Sequence, residues 1–224
     1  MRHIAIITLS VICLSAVNAF AKDASKSLKK TLSSVPAAEL PAQAAKLVKD
    51  AKPDAWEETT INVVKSSVGI NPAAAPAIVG AIARAVGPMA PVAAGTAAKE
   101  QPKQACTIAK AAAAAAPSQA GPIVLAVCKA VPDDYRCVAI AVSQAAPGSR
   151  EDILRAVANV RPELESEIEK ALEGSGASGP SVATTLDKAT ATHSPYGRSR
   201  PPSHVPPGPP VGLPGGGGRN YAKP

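Results

Sequence analysis

Three of the chain's four cysteines, those beyond residue 21, with a set of clustered carboxylates and one glycine-rich hexapeptide, are the residues of this chain whose types and spacing suit chemistry. Cys106, Cys128 and Cys137 suit a disulfide in an oxidising compartment. Cys106 and Cys128 stand eleven residues on either side of Pro117. A helical hairpin turning at that proline sets them at similar heights and at a similar angle to its buried stripe. The spacing predicts a Cys106–Cys128 disulfide, with Cys128–Cys137, which flank Pro132, as the competing pair. Cys137 is then left unpaired or available for dimerisation. The reading in which all three are small buried apolar residues stays open.

Carboxylates gather at Glu57-Glu58, Asp133-Asp134, Glu151-Asp152 and at Glu163, Glu165, Glu167 and Glu169. Paired acids serve acid–base catalysis or calcium binding. These fall in or near first helical turns, where the helix dipole favours negative charge. The last four are expected to form a solvated helix face. Gly174-Ser-Gly176-Ala-Ser-Gly179 matches G-x-G-x-x-G. That fingerprint needs a strand before it and a helix after it. Here a predicted helix precedes and Pro180 follows, so the segment reads as a linker.

The chain's three histidines are His3, His193 and His204, and none lies between residues 22 and 173. Ser-His-Asp and Cys-His arrangements, and metal sites that depend on histidine, are therefore excluded from that region. Aromatic side chains line most small-molecule pockets and stack on single-stranded nucleic acid. Beyond residue 21 the chain has only Trp56, Tyr135, Tyr196 and Tyr221. No catalytic, cofactor-binding or metal-ligating residue is expected, and no nucleic-acid partner.

The elements that would position such residues follow from a proline rhythm. Pro72, Pro88, Pro102, Pro117, Pro132, Pro147 and Pro162 recur about every 15 residues. The ninth residue after each is alanine: Ala81, Ala97, Ala111, Ala126, Ala141, Ala156 and Ala171. The sixth is Ile78, Ile108, Ile123, Val138, Ile153 or Ile168, with Ala94 the exception. Apolar and small residues at spacings of three and four make one stripe of an α-helix. Proline suits the first helical turn and discourages helix in the residue before it. Ser149 and Asp152 have capping-box spacing.

The reading is an all-α chain of about ten short antiparallel helices between roughly Ser25 and Glu173, solenoid-like in kind. Its period differs from tetratricopeptide, ankyrin and armadillo-type repeats. The first units are less regular and suit a capping section.

Both ends differ from this middle. Residues 1–21 read as a secretory signal peptide: Arg2, an apolar stretch from Ile4 to Val17, and a small-x-small site at Ala19-Phe20-Ala21. Cleavage then leaves Lys22 first, with cleavage after Ala19 as the alternative. Residues 174–224 hold 10 Pro and 10 Gly in 51 residues and carry Lys188, Arg198, Arg200, Arg219 and Lys223 against Asp187 alone. That composition predicts a disordered basic tail. The region 22–173, with 18 basic and 16 acidic side chains, is nearly neutral, so part of the chain's net +7 belongs to the tail.

The function expected is an exported, periplasmic or extracellular, non-catalytic scaffold or binding module with a protein or envelope-polymer partner. One alternative is a protein lying on a membrane surface through apolar helices and the basic tail. Another is an enzyme that works without histidine.

Overall fold

The computed structural model describes residues 28–173 and 179–193. The expected signal peptide at 1–21, most of the glycine hexapeptide (174–178) and the Pro-rich stretch 194–224 lie outside the described residues. Among the described residues the regular elements are all helical. A first helix, α1, covers 28–33. It is followed by α2 (Leu40–Asp50), α3 (Trp56–Ile70), α4 (Ala75–Ala85), α5 (Ala90–Glu100) and α6 (Ala105–Ala115). Then come α7 (Ala120–Ala130), α8 (Tyr135–Ala145), α9 (Arg150–Val160), α10 (Glu165–Glu173) and α11 (Val182–His193).

The period has a simple local cause. Each unit is one extended residue, a three-residue 3₁₀ turn that carries the proline, and an α-helix. From α4 to α9 the helix is always 11 residues, so the unit is 15. The extended residues are Asn71, Val86, Gln101, Ala116, Val131, Ala146 and Arg161, with φ between −140° and −125° and ψ between 69° and 88°. Proline disfavours helical geometry in the residue before it and so sets this hinge in six of the seven units. The hinge satisfies two helix ends at once. Val86 donates its N–H to the Ile82 carbonyl at 2.8 Å and accepts the Met89 N–H at 2.9 Å. Ala116 does the same with Ala112 and Gln119, at 2.9 and 3.0 Å.

Counting from hinges corrects the count from prolines. Pro88 is the second residue of its turn, Gly87–Met89, rather than the first. The proline intervals of 16 and 14 around it therefore hide a constant period of 15. The structural equivalent of the ninth-place alanine in that unit is Thr96, not Ala97. The equivalent of the sixth-place exception is Ala93, and Ala93 and Ala94 are both buried.

The helices lie in two layers. From α2 to α9 each packs most extensively on a helix two places away along the chain, α3 on α5, α5 on α7 and α7 on α9 in one layer, α2 on α4, α4 on α6 and α6 on α8 in the other. Contact with the immediate neighbour, across the layers, is smaller. The sixth-place Ile78, Ile108, Ile123, Val138 and Ile153 are fully buried and Ile168 nearly so. Around them the core is largely alanine: α5 buries Ala90, Ala93, Ala94, Gly95, Ala97 and Ala98. Helices this short are marginal alone, so their stability comes from neighbours two places away.

Small residues set the approach within a layer. A Cβ built on Gly80 would lie 3.5 Å from the Ala111 carbonyl oxygen, and one on Gly95 would lie 3.1 Å from that of Ala126. A Cβ on Gly121 would meet Asp152 Cβ at 3.0 Å and its carbonyl oxygen at 3.1 Å. The ninth-place alanines Ala111 and Ala126 thus sit at close approaches. Two substitutions of the same kind are expected to have opposite signs. Gly80→Ala fits and gains helix propensity, stabilising by up to about 1 kcal/mol. Gly121→Ala must push α9 away and costs about 1–3 kcal/mol, more than its propensity gain. Urea unfolding of the two variants checks this.

Three expectations are corrected here. The Ser149–Asp152 capping box does not form. Ser149 makes no side-chain cap bond, and its hydroxyl donates instead to the Pro117 carbonyl at 3.3 Å, two units back. Gln104 does the same to the Pro72 carbonyl at 3.2 Å. The span 174–224 is not structureless throughout. α11 begins beside Ser181, whose hydroxyl accepts the Thr184 N–H at 3.2 Å, and it buries Val182, Thr185, Leu186 and Ala189. Glu163, Glu165, Glu167 and Glu169 do not share a face, because a spacing of two crosses a helix. Glu163 lies in the turn Pro162–Leu164 and pairs with Arg161. Glu167 is half-buried and pairs with Lys170 at 2.9 Å.

α11 also breaks the stacking rule. By register α10 should lie on α8. Instead α10 packs on α9, and α11 packs on both α8 and α10. Arg136 of α8 pairs with Asp187 of α11, Tyr135 lies 3.5 Å from the Thr190 hydroxyl, and Arg150 donates to the Pro180 carbonyl at 2.7 Å.

Candidate functional site

A surface that combines the cysteines with a concavity lies across α6 and α8. Here the structure joins Cys106 to Cys137, 31 residues apart with Cα atoms at 5.8 Å. The Cys106–Cys128 pairing is therefore overturned, and so is the competing Cys128–Cys137. The reason is the layering. Cys106 is the second residue of α6, on the flank that meets the next helix of its own layer. Gly80–Ala111, Gly95–Ala126 and Gly121–Asp152 show the same 31-residue relation within a layer. A hairpin across Pro117 brings Cys128 to similar height but not to that flank. Cys128 is fully buried in α7 and is the free cysteine among the described residues. Cys137 is thus not available for dimerisation.

Burial pushes the Cys128 thiol up to about 12, with the negative charge of Asp134 adding to the shift. The thiolate, which is the nucleophile, is then scarce at neutral pH. Iodoacetamide at about pH 8 is expected to leave the folded, unreduced protein unlabelled and to label Cys128 once it is unfolded. Peptide mass mapping of the labelled site checks this.

Two shallow grooves flank the disulfide. One, of about 350 Å³, is lined by Cys106, Thr107, Lys110, Cys137, Ile140, Ala141 and Gln144. Lys110 donates to the Gln144 side-chain oxygen across it at 3.1 Å. The other, of about 370 Å³, is lined by Asp133, Asp134, Arg136, Cys137 and Ile140. The acids Asp133 and Asp134 are thus brought to the disulfide by the turn that opens α8. The arrangement offers a polar rim over an apolar floor.

The remaining acids stay apart from this face. Glu57 and Glu58 are exposed in the first turn of α3. Glu151 pairs with Arg155 at 2.6 Å, and Asp152 rests against Gly121. Glu167 holds the Lys170 ammonium above its usual range through their hydrogen bond. No group of three or more potential metal ligands occurs among the described residues. Thr60 and Ser67, two turns apart on α3, are fully buried hydroxyls whose oxygens find no hydrogen-bond partner. Nothing in the sequence marks them, because a Thr and a Ser seven residues apart on a helix are as common on a solvated face as in a core.

No family model, no curated protein and no solved structure matches this chain.

Proposed function

We propose that the chain is an exported, non-catalytic helical-repeat scaffold or binding module, which presents the outer faces of its two layers to a protein or envelope-polymer partner. The observation that carries the reading is the Cys106–Cys137 disulfide across two rungs of one layer. A disulfide of this kind persists in oxidising compartments, which agrees with the export signal read at residues 1–21. Repeat stacks offer extended surfaces without needing a pocket, and the grooves beside the disulfide are of that kind. No helix of the described residues is long and apolar enough to cross a membrane.

The test is affinity capture from the envelope fraction of the exporting cell, with the full mature chain and with a chain ending at residue 193. A partner that binds saturably to the mature chain supports the reading. Failure to find one, together with co-sedimentation of the mature chain with liposomes, would replace it with a role at the membrane surface.

A further inference from the structure

The layer that runs through α5, α7 and α9 ends without a successor, because α11, the next helix in register, lies mainly on α8 and α10. The flank left open is a groove of about 460 Å³ between α9 and α10. Its floor is Ala158, Ile168 and Leu172, and its rim includes Glu165, Glu169 and Glu173. These three exposed glutamates follow one another at spacings of four, so they form one column of like charge. None of them takes part in the ion pairs among the described residues. Arg155, the basic residue on the lining, is held by Glu151 at 2.6 Å.

A complementary segment follows directly in the chain. Residues 194–224 carry Arg198, Arg200, Arg219 and Lys223 and no acid. The end of α11 stands near the start of α10. Thr190 lies 3.5 Å from the Tyr135 hydroxyl, and Arg161, which opens the turn before α10, lies 4.8 Å over the Tyr135 ring. An extended chain advances at most about 3.5 Å per residue, so Arg198, five residues past His193, reaches about 17 Å. α10 has nine residues and is only about 14 Å long. The column is within reach of both arginines, and Tyr196, Pro201 and Pro202 beside them are apolar residues of a kind that suits the floor.

We propose that Tyr196–Pro202 of the same chain docks along this flank, with Arg198 and Arg200 against Glu165, Glu169 and Glu173. The segment closes the open end of the array. An uncovered end of this kind is a surface for head-to-tail stacking of copies, which does not close on itself. Covalent connection favours the chain's own segment over a second copy, since it supplies a millimolar effective concentration.

Limited trypsinolysis of the full chain tests this. Trypsin cuts after Arg198 but not at Arg200–Pro201, and the Arg219–Asn220 bond serves as an internal reference. The comparison is with Glu165→Gln/Glu169→Gln/Glu173→Gln, a variant whose fold is checked by circular dichroism and which removes repulsion rather than packing. Relative to the reference bond, Arg198 cleavage is expected to be about fivefold slower in the unsubstituted chain. Near 1 M salt, where the screening length falls to about 3 Å, that difference should vanish. Arg200→Gln should speed cleavage in the same direction. Equal rates in the two chains at low salt would overturn the proposal. So would protection that grows with protein concentration, which would assign the flank to a second copy.

Discussion

Replacing Ile123 by alanine is expected to lower the unfolding free energy by about 2–5 kcal/mol. Ile123 is fully buried in α7, which packs on α5 and α9 in its own layer and on α6 and α8 across the layers. The loss combines the transfer free energy of the deleted methylenes with the void they leave. That void closes only in part, because the buried residues of the adjoining α5 and α6 are largely alanines with no rotamers to rearrange. Position within the array matters as well. Stability in a stacked array is a sum of unit and neighbour terms, so a defect at its centre weakens two interfaces. Ile168→Ala, at the equivalent place in α10, is expected to cost less. Ile168 is almost as buried, but α10 has no extensive partner on α8. Urea unfolding of the two variants, monitored by helical circular dichroism, gives the comparison. Equal losses would mean that the units do not act through their neighbours.

Removing the Cys106–Cys137 disulfide is the second large effect. The bridge closes a loop with a sequence separation of 31. Chain-entropy arguments give about 3 kcal/mol for a 15-residue loop and about 4.7 for a 100-residue one. A loss of about 3–4 kcal/mol is therefore expected for Cys106→Ala/Cys137→Ala, or roughly 10 °C in unfolding temperature for a domain of this size. The fold itself should survive, because Gly80–Ala111 and Gly95–Ala126 hold the same 31-residue relation without any covalent link. Reduction should act on the unsubstituted protein and leave the double variant unchanged. A destabilised variant that responds further to reductant would contradict this account.

The helices were legible because two signals agreed. Proline marked the turns, and the sixth-place Ile and Val residues marked the stripe that is buried. Layer order was not legible. Short connections show that neighbours run antiparallel, but not that the larger contact skips one helix. That contact is written in single small residues, such as Gly95 opposite Ala126, and in Cys106 opposite Cys137, whose relation appears only when the spacing of 31 is read against a period of 15. The frame slip at Pro88 came from treating every proline as the first residue of its turn. α11 was hidden by composition. Its flanks are rich in proline and glycine, while Pro180-Ser181 followed by Val182, Leu186 and Ala189 is a cap and a buried stripe. The grooves beside the disulfide depend on layer order, so nothing in the local sequence points to them.

The layered arrangement is tested most directly by disulfide mapping. The mature protein is alkylated under denaturing, non-reducing conditions, digested, and its cross-linked peptides identified by mass spectrometry. The account predicts one linked pair, Cys106 with Cys137, and alkylated Cys128. A bridge from Cys128 to either of the others would place consecutive helices edge to edge at those residues, and would contradict the two-layer stack.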